Sequence, residues 1–320
     1  MSEKKQPILE IKNLTKQFEM KDGRKLTAVN NVSLKLYKGK CLGIVGESGC
    51  GKSTLANMIV HLEKPTSGSI IYDNEDISNL KGEKLRQNRK KLQMIFQDVS
   101  ESFNPRMKVW KIISEPLLNF KLIDKNSAYK EAKKLLSIVG MSENFADRYP
   151  HQLSGGQRQR VAIATSLSLK PEIIICDEVT SALDVSIQKQ VLSLLVNLQK
   201  ENELSYIFIG HDLAVVKNIS HRIAVMYLGQ IVELINSCNL TTSACHPYTK
   251  ALLSSVFSVK KSNNTKIEII KGDPPRPSCI PPGCSFSSRC KKCMDICFKE
   301  KPSLKEIEKN HLVACHLFDE

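Results

Sequence analysis

Residues 46–54 of this 320-residue chain read Gly46-Glu47-Ser48-Gly49-Cys50-Gly51-Lys52-Ser53-Thr54. The run follows the apolar stretch 41–45, which is typical of a buried strand, and precedes a helical pattern over 55–62. A loop of the form G-x-x-x-x-G-K-[ST] between a strand and a helix binds phosphate, because its glycines turn successive backbone N–H groups toward the anion. The start of the helix adds a partial positive charge. The sequence therefore predicts a nucleotide site in which Lys52 binds the β- and γ-phosphates and Ser53 binds Mg²⁺.

A second apolar strand ends in two carboxylates, Ile173-Ile174-Ile175-Cys176-Asp177-Glu178. Parallel α/β sheets bind ligands beyond the carboxyl ends of their strands. We therefore expect Asp177 to contribute to the Mg²⁺ shell and Glu178 to act as the general base that polarises the attacking water. Alone, this pattern also fits an exposed strand end without a role. Its occurrence together with the phosphate loop favours the catalytic interpretation.

A second glycine-containing helix start lies at Leu153-Ser154-Gly155-Gly156-Gln157. Exposed backbone N–H groups at a helix start form an anion site. One chain does not need two phosphate sites for one nucleotide, so we expect this one to contact the nucleotide of a neighbouring subunit. An ordinary helix cap is the alternative.

The remaining patterns predict an α/β organisation. Residues 8–36 alternate apolar and polar side chains around a turn at 21–23, as an antiparallel strand pair does. Helical spacing covers 108–120 and 127–139, and Gly140 is a plausible C-terminal stop. An amphipathic helix over 185–199 separates apolar strands at 173–176 and 206–209, an order that is typical of a parallel sheet.

Composition excludes some classes of protein and leaves others open. No run approaches the roughly 18 consecutive apolar residues of a membrane span, and residues 1–7 lack the apolar segment of a secretory signal, so a soluble cytoplasmic protein is expected. The formal net charge is +14, but no nucleic-acid-binding module accompanies it. Six of the eleven cysteines lie within the last 42 residues, which in a cytoplasmic protein indicates metal ligands or reduced thiols before disulfides.

In order and spacing, the loop 46–54, the segment 153–157, the pair 177–178, the run 181–184 and His211 resemble the nucleotide-binding domains of ABC transporters over residues 8–235. The resemblance implies ATP and Mg²⁺ as ligands. It implies that ATP is bound by Phe18, which would stack on the adenine, by Gln97, and by the loop residues Gly46, Glu47, Ser48, Gly49, Cys50, Gly51, Lys52, Ser53 and Thr54. Mg²⁺ would be bound by Ser53, Gln97 and Asp177, and the catalytic residues would be Glu178 and, near the γ-phosphate, His211. Asp184 would lie at the dimer seam, and the partner's nucleotide would be contacted by Ser154, Gly155, Gly156 and Gln157.

Two residues depart from the pattern of that family. Val179 stands where proline usually follows the glutamate, and Gly210 stands before His211 where serine or threonine is common. Both departures lie beside residues expected to handle water and the γ-phosphate, so they bear on the turnover rate and not on the class of reaction.

The resemblance also fixes the expected fold. It implies an α/β P-loop NTPase with a RecA-like parallel sheet core, an antiparallel β subdomain, an inserted α-helical subdomain and a cysteine-rich, loop-rich C-terminal extension. The expected nucleotide-binding domain covers residues 1–240, with the helical subdomain inserted at about 98–165, and the expected C-terminal region covers 246–320.

The C-terminal region resembles that of oligopeptide and dipeptide permease ATPases, through the run 246–253, the segment 282–284 and the cysteines that follow. Asn104-Pro105-Arg106-Met107 with Glu115-Pro116-Leu117 is closer to the F-type subunit of those systems than to the D-type. The resemblance implies an ATPase for di- and oligopeptide import on the cytoplasmic face of the cell membrane. Its partners would be a D-type ATP-binding subunit, two permease subunits and an extracytoplasmic solute-binding protein, with no nucleic acid. Three alternatives remain: an importer of nickel or another small solute, a soluble ABC ATPase acting on nucleic acid or the ribosome, and an inactive regulatory subunit.

Four cysteines of the tail match the family pattern, namely Cys284, Cys290, Cys297 and Cys315. Four thiolates can hold an iron–sulfur cluster or a zinc ion. Some relatives carry a [4Fe–4S] cluster here. Reduced thiols are the third alternative, and the additional Cys279 and Cys293 make the ligand set ambiguous.

Overall fold

The structure, a computed structural model, describes residues 6–21, 23–257, 275 and 281–319. The strands are β1 Pro7–Glu19, β2 Lys25–Tyr37, β3 Cys41–Val45, β4 Ser67–Tyr72, β5 Glu75–Asp76, β6 Leu92–Ile95, β7 Ile173–Asp177, β8 Ser205–Gly210, β9 Arg222–Tyr227, β10 Gln230–Asn236, β11 Lys305–Glu308 and β12 His311–Val313. The α-helices are α1 Lys52–Ile59, α2 Gly82–Lys91, α3 Val99–Ser102, α4 Val109–Asn119, α5 Lys125–Ile138, α6 Gly155–Leu167, α7 Val185–Asn202, α8 Leu213–Ile219, α9 Leu240–Ser243, α10 Pro247–Phe257 and α11 Ile296–Lys299. The chain forms two compact units: unit 1 comprises Met1–Asn79 with Phe208–Glu320, and unit 2 comprises Leu80–Ile207.

Unit 1 contains an antiparallel sheet with the strand order β2-β1-β4-β5. The long strands β1 and β2 pair along their lengths, for example Leu9 with Leu36 and Phe18 with Leu26. Leu9, Ile11 and Leu14 of β1 are buried while its polar residues are not, because alternate side chains of a strand point to opposite faces. The strand pair predicted over residues 8–36 is confirmed.

A second sheet of unit 1 carries the phosphate loop. All five residues of β3 are buried, and β3 pairs in parallel with β9. From β9 the sheet continues through β10, β12 and β11, whose pairings are antiparallel. Because β3 is buried on both faces, packing fixes its C-terminal end, where the phosphate loop begins.

In unit 2 the strands β6 and β7 pair in parallel, and all five residues of β7 are buried. The helices predicted at 108–120 and 127–139 are present as α4 and α5. Asp124 caps α5 by accepting a 2.8 Å hydrogen bond from the backbone N–H of Ser127. Gly140 follows α5 with φ +68°, a left-handed conformation that glycine adopts without strain, which confirms it as the stop.

The C-terminal region contains more regular structure than its sequence suggests. Helix α10 follows His246, and the short strands β11 and β12 form a hairpin. Glu233 of β10 pairs with Val313 of β12, so the end of the chain extends the sheet of unit 1. Among the described helices, none combines the length and apolarity that crossing a membrane requires.

Candidate nucleotide site

The phosphate loop of unit 1 has a backbone that only glycine allows at two positions. Gly51 has φ +103°, and a Cβ there would lie 2.1 Å from the carbonyl oxygen of Ala28. A Cβ on Gly46 would lie 2.1 Å from the carbonyl oxygen of Met226 at the end of β9. The loop is therefore packed tightly against its neighbours, and its last residues already belong to α1, which begins at Lys52.

Lys52 is 5% exposed and points back into the loop. Its ammonium group donates to the carbonyl oxygens of Gly46 at 2.9 Å and Glu47 at 3.0 Å. Burial raises the pKa of the neighbouring Cys50 thiol, which keeps it protonated. A cation held by neutral carbonyls beside a set of backbone N–H groups is arranged to receive an anion.

Glu47, inside the loop, is held from the C-terminal region. The guanidinium of Arg289 donates to both oxygens of its carboxylate, at 2.8 and 3.1 Å. The hydroxyl of Tyr248 accepts a 2.9 Å hydrogen bond from the backbone N–H of Glu47. No local motif predicts Arg289 and Tyr248 as site residues, because they lie 242 and 201 positions from Glu47 in the sequence.

In unit 2 the structure brings together two predicted site residues that are 81 positions apart. The side-chain amide of Gln97 donates a 3.1 Å hydrogen bond to the carboxylate of Glu178. Glu178 follows the buried Asp177 and has φ +48°, which is uncommon for a residue with a side chain. Both the backbone N–H and the hydroxyl of Ser181 donate to the Glu178 carbonyl oxygen, at 3.1 and 2.9 Å, and hold this turn.

The glycine-containing helix start of unit 2 is a capping box. The hydroxyl of Ser154 accepts from the backbone N–H of Gln157, and the side chain of Gln157 accepts from the backbone N–H of Ser154 at 3.0 Å. A Cβ on Gly156 would lie 2.4 Å from a methyl group of Ile187 in α7, so this glycine is required for helix packing. The first turn of α6 contains no acidic residue.

The other predicted residues lie at exposed or strand-end positions. In unit 1, Phe18 on β1 is 36% exposed, with the ammonium of Lys16 4.7 Å from its ring centroid, and His211 follows β8. In unit 2, Asp184 is the residue before α7. Phe18 thus presents an aromatic face that a flat ring could cover.

None of the ten described cysteines forms a disulfide with another of them, and Cys279 lies outside the described residues. Burial raises the pKa of Cys284 to about 11, and the nearby thiols of Cys297, Cys315 and Cys290 contribute to the rise. Within the part of the chain that the structure describes, three ligand atoms within 4.8 Å of one another occur at Glu233, Cys245 and His311, not among the tail cysteines.

That group of three has an internal hydrogen-bonding explanation. The buried carboxylate of Glu233 accepts from the backbone N–H groups of Cys245 at 2.7 Å and His246 at 3.1 Å, and it lies 2.7 Å from a ring nitrogen of His311. A buried carboxylate with three such partners joins β10, the segment that precedes α10, and β12 without a metal ion.

Comparison with known proteins adds to this geometry. Residues 29–181 match the family model described as "ABC transporter", and residues 232–297 match "Oligopeptide/dipeptide transporter, C-terminal region". The chain is 48% identical to the oligopeptide transport ATP-binding protein AppF of Bacillus subtilis, over 97% of both chains. The chain belongs to the family of ABC transporter ATP-binding proteins. It is therefore an ATPase, with ATP and Mg²⁺ as the ligands of its site.

Further relatives agree with the assignment to the ABC family. The chain is 45% identical to OppF of Haemophilus influenzae over 98% of each chain. It is 41% identical to the dipeptide transport ATP-binding protein DppF of Escherichia coli, over 98% of this chain and 96% of that one. Among solved structures, a dimeric ATP-binding cassette in a post-hydrolysis state with ADP and phosphate superposes with a TM-score of 0.66 at 33% identity, over 72% of this chain and 98% of that one. The predicted P-loop NTPase fold is confirmed, and as an ABC transporter ATPase the chain works with permease subunits.

Proposed function

We propose that this chain is the F-type ATP-hydrolysing subunit of an ABC importer for di- and oligopeptides. The observation that carries this proposal is the full-length similarity to peptide transport ATPases, which includes the cysteine-rich C-terminal region as well as the nucleotide-binding domain. We place the nucleotide-binding domain at 1–240, with helices inserted at about 98–165, and the C-terminal region at 246–320.

In the proposed mechanism, two ATP-binding subunits close head to tail on ATP. The loop 46–54 and Phe18 of one chain bind the triphosphate and the adenine, and Ser154, Gly155, Gly156 and Gln157 of the other chain contact the γ-phosphate. Ser53, Gln97 and Asp177 would hold Mg²⁺, which would neutralise phosphate charge. Asp184 would lie at the seam between the two subunits. The closed dimer gains its stability from contacts with the γ-phosphate, so hydrolysis reopens it.

Hydrolysis is assigned to Glu178 as general base, with His211 near the γ-phosphate. The 3.1 Å hydrogen bond from Gln97 orients the Glu178 carboxylate, which supports the assignment of both residues to the same site. Val179 is buried, and the turn is held by Ser181, so the absence of proline at position 179 leaves the turn intact.

The proposed partners are a D-type ATP-binding subunit, two permease subunits and an extracytoplasmic solute-binding protein, which place the chain on the cytoplasmic face of the cell membrane. Nickel or another small solute remains the alternative cargo. A soluble ATPase acting on nucleic acid or the ribosome is disfavoured by the C-terminal region.

For the tail, we propose an iron–sulfur cluster bound by Cys284, Cys290, Cys297 and Cys315, with zinc and free thiols as alternatives. The thiols of Cys290, Cys297 and Cys315 lie near enough to Cys284 to contribute to the rise in its pKa. Such a cluster would supply a covalent cross-link within the tail. Iron, zinc and sulfide analysis of anaerobically purified protein, with its absorbance spectrum, decides among the three.

The test of the proposed function is transport by the full assembly in lipid vesicles. We expect ATP-dependent uptake of labelled di- and oligopeptides, delivered by the binding protein, and no uptake of nickel. With Glu178→Gln, uptake and hydrolysis should fall by at least about 100-fold while ATP still binds, because only the base is lost.

Glu201→Gln provides the matched control, since it makes the same change at an exposed position of α7 and should leave both rates unchanged. Uptake of nickel without peptide would move the chain to the alternative cargo. Full turnover by Glu178→Gln would refute the assignment of the base.

A further inference from the structure

The phosphate loop contains a negative charge of its own. Glu47 is its second residue, and its carboxylate is 25% exposed. ATP brings several negative charges to the same loop, so an unpaired carboxylate at this position would oppose binding. Two like charges a few ångströms apart near a protein surface repel each other, and this repulsion would weaken the binding of ATP.

The structure pairs this carboxylate with a residue of the cysteine-rich tail. Arg289 makes two parallel hydrogen bonds to the Glu47 oxygens, at 2.8 and 3.1 Å, and its side chain is only 7% exposed. This bidentate arrangement fixes direction as well as charge, which a lysine cannot do. Burial alone would lower the pKa of Arg289, but its hydrogen bonds to Glu47 and Tyr227 outweigh that effect and raise it, so the guanidinium stays charged.

An aromatic cluster holds Arg289 and the loop in the same place. The rings of Tyr227 and Tyr248 lie 4.7 Å apart, and Phe286 lies 5.2 and 5.4 Å from them. The Tyr227 hydroxyl accepts from Arg289 at 3.3 Å, while the Tyr248 hydroxyl accepts from the Glu47 backbone N–H at 2.9 Å. Both the side chain and the backbone of Glu47 are therefore fixed from outside the loop.

We propose that Arg289 is a positioning residue for ATP: it neutralises Glu47 and orients the start of the phosphate loop, so that the C-terminal tail sets the affinity of the chain for the nucleotide. The proposal rests on the proposed function, since it concerns the same ATP site. It gives the tail a role within its own subunit. Arg289 acts through Glu47 and needs no contact with the nucleotide.

The test compares single and double variants of the full-length chain, with binding of a fluorescent ATP analogue in the presence of Mg²⁺ as the readout. Arg289→Gln should weaken binding by about 5- to 30-fold, which corresponds to roughly 1–2 kcal/mol of uncompensated charge. The double variant Glu47→Gln/Arg289→Gln should bind more tightly than Arg289→Gln, because the repelling carboxylate is gone while the backbone of the loop is unchanged. Arg289→Lys should fall between the two, since it retains the charge but loses the bidentate geometry.

Lys292→Gln is the matched control, because it removes an exposed positive charge from the same tail and should not alter affinity. Thermal unfolding of each variant identifies any that fail to fold, in which case Arg289→Lys and the double variant still decide. Equal weakening in Arg289→Gln and in the double variant would mean that Arg289 only maintains the structure, and unchanged affinity in Arg289→Gln would also overturn the proposal. A folded wild-type chain that binds no ATP would instead contradict the proposed function.

Discussion

The glycine at position 210, where the family usually has serine or threonine, is explained by a single neighbour. A Cβ on Gly210 would lie 2.8 Å from a methyl group of Val216, and a Cβ on Gly43 would lie 2.4 Å from the other methyl group. Val216 is fully buried between the two glycines. A β-branched side chain in a helix has one favoured rotamer, so it cannot turn away.

Gly210→Ser should therefore destabilise the protein by about 1–3 kcal/mol, as overpacking of a core does. The compensated variant Gly210→Ser/Val216→Ala should recover part of that loss, because the methyl groups in the way are removed. Chemical denaturation of both variants and of Val216→Ala measures the coupling. Additive effects of the two substitutions would show that Val216 does not determine the glycine.

Single residues differ in how much of their role the sequence could predict. The roles predicted for Gly46 to Thr54 follow from one local motif, whose residues adopt a single backbone conformation. The structure shows the close backbone contacts that require glycine at positions 46 and 51. Arg289 has no such signal, because its partner Glu47 is 242 positions away and its neighbours in sequence are two serines, a cysteine and two lysines. Contacts of that separation depend on the whole topology of unit 1, which no local pattern specifies.

Among the elements, helix α6 has a start that serves two purposes. The capping box of Ser154 and Gln157 stabilises the helix, and the same helix start is proposed to contact a partner's γ-phosphate. Ser154→Asp separates the capping role from the role in phosphate contact, since aspartate caps a helix as well as serine does but brings a negative charge. Ser154→Ala is its counterpart, which should cost about 1 kcal/mol of stability from the lost cap.

We expect Ser154→Asp to unfold like the wild type but to lose its ATP-dependent association with the D-type subunit. Sedimentation of the two chains with ATP measures this association, in a Glu178→Gln background that prevents turnover. Ser154→Thr, which retains an uncharged hydroxyl, is the control. If the aspartate variant still dimerised on ATP, this helix start would be a cap and nothing more.

Elements with strong periodicity could be predicted, whereas those defined by pairing could not. Helices α4 and α5 both show helical spacing, α5 also ends at a glycine stop, and the predicted bounds of both lie close to the observed ones. The strands β11 and β12 are four and three residues long and follow a Pro- and Cys-rich segment, so their periodicity is too short to detect. Strand β12 forms by pairing with β10, a contact between distant parts of the sequence, and β11 then pairs with β12.

At the scale of the whole molecule, stability depends on pH through a buried histidine that supports the Glu47 contacts. His246 is 1% exposed, and its Nδ1 accepts a 3.1 Å hydrogen bond from the backbone N–H of Tyr248. Burial lowers its pKa from 6.5 to about 3. Because the folded pKa lies below the unfolded one, protonation favours unfolding: the stabilisation is complete above about pH 6.5 and is lost as the pH falls toward 3.

The free energy of unfolding should therefore decrease by up to about 1.4 kcal/mol per pH unit across that window through this residue alone. His246→Asn retains a hydrogen-bond acceptor near the position of Nδ1 but does not titrate, so its stability should depend less steeply on pH between 6.5 and 3. Denaturation at several pH values measures both slopes, and His151→Asn, at an exposed position of unit 2, should leave the slope unchanged.

Because His246 fixes the backbone of Tyr248, whose hydroxyl holds Glu47, ATP affinity should decline over the same acidic range in the wild type and less in the asparagine variant. Equal slopes in the wild type and His246→Asn would show that other groups govern the acid sensitivity.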